Sequence, residues 1–270
     1  MIRVNNISYR YPDGTQALKN VSIYAEKGEC IAILGPNGSG KTTLLHHLNG
    51  LLSPISGEIY INGERIEGKN LDKIRRKVGL LFQNPDDQLF APTVREDVAF
   101  GPKNLELERD EIKKRVEKSL RLVHIEHLGN KPINSLSYGE KKRVAIAGVL
   151  AMNPDILVFD EPISALDPVM SSEMIELILK LKKELKVTLV IATHDVDFVP
   201  LCADRIYVLN KGEIVAEGTP KEVFRNKEVI THCGLRLPII SQLFESINSG
   251  EIPLTIEEAK NLLRDMKWKA

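Results

Sequence analysis

Two patterns of apolar residues divide the chain. Short, fully apolar runs read as strands buried on both faces: Ile31-Ala32-Ile33-Leu34, Ile156-Leu157-Val158-Phe159 and Thr188-Leu189-Val190-Ile191. Elsewhere apolar residues recur every three or four positions, as Ile112, Val116, Leu120 and Val123 do, and predict amphipathic helix. A second helix is predicted from near Ser137 through Val144, Ile146 and Val149-Leu150. A third runs from Pro168 to about Leu185, with Asp167 as its N-cap. Near the N-terminus Ile2, Val4 and Ile7 alternate, and Leu18, Val21 and Ile23 follow a turn at Pro12-Asp13-Gly14, which predicts short paired strands. Glu58-Ile59-Tyr60-Ile61 runs into a hairpin turn at Asn62-Gly63, and residues 205–216 read as a closing hairpin. Thr255-Ile256-Glu257-Glu258 fits a capping box opening a last helix through Leu262-Leu263. The strand–helix–strand order predicts an α/β fold with a parallel, doubly wound core.

One turn in this pattern carries chemistry. Directly after the strand ending at Leu34 stands Gly35-Pro36-Asn37-Gly38-Ser39-Gly40-Lys41-Thr42, a complete G-x-x-x-x-G-K-[ST] phosphate loop, followed by Thr43 at the opening of a helix. Glycines let successive backbone N–H groups converge on phosphate oxygens at a helix N-terminus. Lys41 is placed to reach the β- and γ-phosphates, and the Thr42 hydroxyl to coordinate Mg²⁺. The strand Ile156–Phe159 ends in two acids, Asp160 and Glu161. Alternation along a strand points them in different directions, so Asp160 is expected to hold Mg²⁺ and Glu161 to polarise an attacking water. The ligands expected are therefore a nucleoside triphosphate and Mg²⁺.

Composition narrows the class. Lys plus Arg and Asp plus Glu number 37 each over 270 residues, so no net field points to nucleic acid. Cys30, Cys202 and Cys233 are far apart and fit reduced thiols. No apolar run approaches the roughly 20 residues of a membrane span, and the first residues lack a signal-peptide layout. A cytoplasmic chain is expected, with any membrane connection made through a partner. His124 and His127 are expected on one helical face, and His46-His47 in packing or surface roles.

Leu136-Ser137-Tyr138-Gly139-Glu140 resembles the L-S-G-G-Q signature of the ATP-binding-cassette family, with Tyr138 and Glu140 as departures. The resemblance covers about residues 2–235. It implies that the triphosphate is ATP, that Tyr11 stacks on adenine, that Gln83 touches Mg²⁺ and the attacking water, and that His194 contacts the γ-phosphate. It also implies that Ser137, Gly139, Glu140 and Asp167 act on ATP held by the opposite subunit of a homodimer or a heterodimer with a paralogue. Tyr138 stands where glycine would adopt the backbone geometry more easily. The fold implied is α/β, a P-loop NTPase core (residues 2–235) with an antiparallel β subdomain and an inserted α-helical subdomain at about 84–150. A short helical C-terminal extension, 236–270, follows.

Phe82-Gln83-Asn84-Pro85-Asp86-Asp87-Gln88-Leu89-Phe90 looks like the corresponding stretch of energy-coupling-factor transporters, and Leu235-Arg236-Leu237-Pro238 resembles the tail of their ATPases. That resemblance implies an ATPase peripheral to the cytoplasmic face of the membrane, serving a membrane coupling subunit and a substrate-binding membrane subunit. Leu89-Phe90 are expected to wall a groove for a coupling helix, while Val94 and Val98 pack. The tail leans toward cobalt or nickel import. A vitamin-importing module is the alternative, followed by a soluble cassette acting on nucleic acid or ribosomes.

Overall fold

The computed structural model describes residues 1–247 and 252–265. Its two sheets follow the two kinds of strand pattern. The alternating segments β1 (Ile2–Arg10) and β2 (Gln16–Ala25) pair antiparallel and bury Ile2, Val4, Ile7, Leu18, Val21 and Ile23. The fully buried β3 (Cys30–Leu34) runs through the glycine-rich loop into α1 (Lys41–Leu48). β4 (Ser56–Ile61) and β5 (Glu64–Arg65) make the hairpin at Asn62-Gly63 and complete a sheet of order β2-β1-β4-β5. Next come α2 (Leu71–Lys77), β6 (Val78–Leu81) and three helices, α3 (Val94–Asn104), α4 (Arg109–Leu122) and α5 (Tyr138–Ala151).

The chain then builds β7 (Ile156–Asp160), α6 (Pro168–Leu185), β8 (Thr188–Thr193), α7 (Val199–Cys202), β9 (Arg205–Asn210) and β10 (Glu213–Gly218). The second sheet has the order β10-β9-β3-β8-β7-β6. Only β10, at its edge, runs antiparallel to its neighbour. Every residue of β3, β6, β7 and β8 is buried, which explains why these strands read as unbroken apolar runs. Register decides what this sheet can do. Leu34 pairs with Thr193, Asp160 with Ala192 and Leu81 with Phe159, so four parallel strands end at one edge. The residues that follow them include Gly35, Gln83, Glu161 and His194.

Packing fixes these layers. Leu44, Leu45 and Leu48 of α1 bury against both sheets, in one cluster with Ile2, Ile7, Ile31 and Ile33. A fully buried side chain of this size contributes about 1.5–3 kcal/mol. The three helices α3 to α5 share a second cluster with α6, through Val98, Leu120, Ile146, Leu177 and Leu181. Capping places their ends: Thr93 and Glu96 form a box at α3, Ser137 and Glu140 at α5, and Asp167 caps α6 by accepting from Met170 N at 2.8 Å. Leu89 belongs to this core rather than to an exposed loop wall, a correction to the sequence reading.

After α8 (Pro220–Arg225) and α9 (Lys227–His232), the tail contributes α10 (Ile239–Ser246) and α11 (Ile256–Asp265). Leu237 and Leu254 pack with Val223, Phe224 and Ile230. Arg236 Nη2 donates to Asp197 Oδ2 at 2.5 Å, and Ile239 N to Asp197 Oδ1 at 2.7 Å. At α11, Thr255 Oγ1 accepts from Glu258 N, but Glu258 Oε2 reaches back to Leu254 N instead of closing the expected box. Residues 248–251 and 266–270 of the expected extension lie outside the described residues. Among those described, no helix is long and apolar enough to cross a membrane.

His124 and His127 do not share a helical face. α4 ends before them, His124 takes a left-handed turn at φ +60°, and His127 sits in a separate short turn, Glu126–Leu128.

Candidate nucleotide site

The loop between β3 and α1 needs two of its glycines for different reasons. Gly40 caps α1 at φ +107°, and a Cβ there would lie 2.5 Å from Ala17 O. A Cβ on Gly35 would lie 2.2 Å from Leu209 O. Pro36 O accepts from Ser39 N at 3.2 Å, while Asn37 and Gly38 stand exposed at the tip. Ser39 O in turn accepts from Gly212 N at 2.9 Å, which ties the loop to the β9–β10 hairpin. The first turn of α1 carries no acid, so the positive end of the helix dipole meets no side-chain carboxylate there. Lys41 is buried, and its Nζ donates to Gly35 O at 2.9 Å and Pro36 O at 3.1 Å.

Across the loop, the exposed Thr42 hydroxyl donates to Asp160 Oδ2 at 2.7 Å. Asp160 is buried, its Oδ1 has no hydrogen-bond partner, and burial pushes its carboxyl above the usual carboxylate range. An unpaired buried carboxylate oxygen beside a threonine hydroxyl is an oxygen donor set that suits a hard divalent cation. The residues present therefore fit Mg²⁺.

Glu161 is also buried, and three side chains converge on it. His194 Nδ1 lies 2.9 Å from Oε1, Lys41 Nζ lies 3.4 Å from the same oxygen, and Thr193 Oγ1 donates to Oε2 at 3.2 Å. Glu161 and Asp160 do point apart, but alternation is not the cause. Glu161 has left the strand in a left-handed conformation, φ +47°, strained for a residue with a Cβ. A nearby ammonium supports that turn: Lys142 Nζ donates to Glu161 O, Pro162 O and Ser164 O at 3.0, 3.0 and 2.9 Å. The sequence reading passed over Lys142. Its signal was a lysine spaced three and four residues from Gly139 and Ile146, on the buried side of α5.

The remaining expected residues fall in two places. Tyr11, packed edge-on against Tyr9, shares a 2.9 Å hydrogen bond with Thr43 Oγ1 at the start of α1. Gln83 is exposed beyond β6, and its carbonyl accepts from the Tyr138 hydroxyl at 3.3 Å. Ser137 and Glu140 bond each other: the Ser137 hydroxyl donates to Glu140 Oε2 at 2.9 Å, and the Ser137 N–H holds the Glu140 carboxyl below its usual range. Tyr138 is the first residue of α5 and has no positive φ, so it sits without the strain that the missing glycine suggested. A Cβ on Gly139 would lie 2.3 Å from Met170 Cε and 2.5 Å from its Sδ on α6, so a side chain there would displace the flexible end of Met170. Asp167 is exposed at the start of α6. His47 is fully buried, with Nδ1 2.7 Å from Thr43 O, which makes it a packing residue under the loop.

Comparison with known proteins agrees with this geometry. The ABC transporter family model matches residues 18–164. The energy-coupling factor transporter ATP-binding protein EcfA of Methanocaldococcus jannaschii is 49% identical over 277 residues, covering 100% of this chain and 99% of that protein. Among solved structures, cbiO1 from Clostridium perfringens, part of the ABC transporter complex cbiONQ, superposes with a TM-score of 0.78 at 48% identity. The match covers 90% of this chain and 98% of that one. A dimeric ATP-binding cassette in a post-hydrolysis state with ADP and Pi gives a TM-score of 0.73 at 34% identity, over 82% of this chain and 99% of that one. A parallel sheet that delivers a phosphate loop, two acids and a histidine to one edge, joined to these likenesses, places the chain in the ABC transporter family, as an ATP-hydrolysing cassette of the energy-coupling-factor type.

Proposed function

We propose that this chain powers import of a transition-metal ion, cobalt or nickel, through separate integral membrane subunits, as a peripheral subunit on the cytoplasmic face. The observation that supports its catalytic assignment is the meeting of Lys41, Glu161 and His194 beside the Thr42–Asp160 pair. In this reading the phosphates of ATP lie on Gly35–Thr42 with Thr43 behind them, Lys41 turns from its two carbonyls to the β- and γ-oxygens, and Tyr11 stacks on adenine. Thr42, Asp160 and Gln83 would hold Mg²⁺, which would supply charge neutralisation for the phosphates. Glu161 accepts the proton of the attacking water, which Gln83 helps to orient, and His194 donates to the γ-phosphate.

Ser137, Gly139, Glu140 and Asp167 complete the site of an opposite subunit, either a second copy or a paralogue. The dimeric cassette among the structural relatives supports this arrangement. The γ-phosphate of the partner's ATP would take over the Ser137 hydroxyl now donated to Glu140. Phe90 and Phe100, 65% and 44% exposed, meet edge-to-face with ring centres 4.6 Å apart. Such a pair of exposed aromatic rings suits the coupling helix of a membrane subunit.

The cargo rests on the likeness of Leu235-Arg236-Leu237-Pro238 to metal-importing relatives. Co-expression and purification with candidate integral membrane subunits, followed by reconstitution into liposomes, tests it. ATP-driven uptake of labelled Co²⁺ or Ni²⁺ is expected. Uptake of a labelled vitamin without metal uptake would overturn the metal assignment and favour the vitamin module.

A further inference from the structure

Lys142 is among the largest fully buried side chains of the protein, only 1% exposed, yet it carries an ammonium group. A buried ammonium is expensive unless its donors are satisfied. Here three are, and all three acceptors belong to one turn: Glu161 O at 3.0 Å, Pro162 O at 3.0 Å and Ser164 O at 2.9 Å. The turn has two left-handed residues without the freedom of glycine, Glu161 at φ +47° and Ala165 at φ +59°. Three carbonyl dipoles aimed at one point repel each other unless a cation sits there. The ammonium therefore holds the turn in a conformation that it would not keep alone.

The same side chain reaches a second element. Lys142 Nζ lies 5.4 Å from the centre of the Tyr138 ring, one helical turn earlier, and the Tyr138 hydroxyl donates to Gln83 O at 3.3 Å. One face of α5 thus grips the segment after β6 and the turn after β7. Ser164 adds a brace of its own, its hydroxyl donating to Glu161 O at 2.8 Å.

We infer that Lys142 is a positioning residue for hydrolysis, fixing the backbone of Glu161 so that its carboxylate meets the attacking water, with Tyr138 as the second arm of the same brace. This rests on Glu161 being the general base. Lys142 touches neither phosphate nor water and acts only through the turn it holds.

The test compares K142M, K142Q and K142R with E161Q, in the full-length chain. Steady-state ATPase gives kcat and KM, binding of a fluorescent ATP analogue gives affinity, and thermal unfolding reports folding. Displacing a reactive group by about 1 Å costs roughly 10²-fold. K142M should therefore lose about 10- to 100-fold in kcat, with KM and analogue affinity within twofold of wild type. K142R, whose guanidinium can donate to several carbonyls, should recover most of the loss, and K142Q less. In the K142M/E161Q double variant, kcat should match that of E161Q alone, because the lysine acts through the glutamate.

Wild-type kcat in K142M overturns the inference. So does a K142M defect shared equally by KM and affinity, which marks a purely structural lysine. If K142M does not fold, the comparison of K142R with K142Q decides: a clear advantage for arginine supports the inference and equal rates overturn it. Full activity of E161Q would instead remove the base assignment, a failure visible before any lysine variant is measured.

Discussion

His194 Nδ1 lies 2.9 Å from Glu161 Oε1, joining the end of β8 to the turn after β7 across one edge of the sheet. The carboxylate is buried while the imidazole is half exposed, so the histidine faces outward from a partner that is fixed inside. Glu161→Gln should keep ATP affinity and lose about 10²–10⁴-fold in turnover, the usual contribution of a base. His194→Ala should lose turnover with affinity retained, and Lys41→Ala should lose affinity as well. Fluorescent-nucleotide binding beside phosphate-release kinetics checks all three. A Glu161→Gln variant with unchanged turnover would refute the assignment.

A composite site makes association depend on the intact γ-phosphate. Sedimentation of Glu161→Gln with ATP and Mg²⁺ should show a dimer that ADP does not support, because only ATP can bridge the phosphate loop and Ser137. Where the partner is a paralogue, the dimer should form only when that chain is added. A monomer under both conditions would remove the composite model.

Asp160 links the site to stability. Burial raises its carboxyl above the unfolded value, so in that interval the folded chain binds more protons than the unfolded one. Stability from this group therefore falls as pH rises through the raised value, and ionised Asp160 is a cost at neutral pH. Asp160→Asn should stabilise the nucleotide-free chain at pH 7 while abolishing Mg²⁺-dependent hydrolysis. Its advantage over wild type should shrink as pH is lowered through the carboxylate range. Denaturant melts at several pH values in chelator check this; an advantage independent of pH would contradict it.

Phe90 is 65% exposed and packs edge-on against Phe100, while its neighbour Leu89 is buried. Phe90→Asp should leave ATPase activity and melting temperature of the isolated subunit near wild type. It should abolish transport by the assembled complex. Unfolding of the isolated subunit, or continued transport, would show that the ring serves packing instead.

Local periodicity and local capping carried most of the fold into view. The unbroken apolar runs of β3, β7 and β8 could be read because both faces of that sheet are covered, and Asp167 because capping involves only the next three residues. What the sequence hid was set by distant contacts. Leu89 looks like a loop residue, yet the core of α3 to α5 takes it in. Tyr138 looks strained in place of glycine, but it opens a helix in ordinary geometry. The left-handed turn at Glu161 depends on an ammonium nineteen residues earlier in the chain, which no local pattern announces.

Asp197 stands three residues beyond His194 and holds the tail twice, through Arg236 and through the backbone of Ile239. The segment from β8 to α10 is therefore a closed loop of chain whose clasp lies beside the histidine. A shortened protein ending before Arg236 would open that clasp and free both Asp197 carboxylate oxygens. Trimming the tail would in this sense unfasten the turn that follows His194, from the far end of the polypeptide.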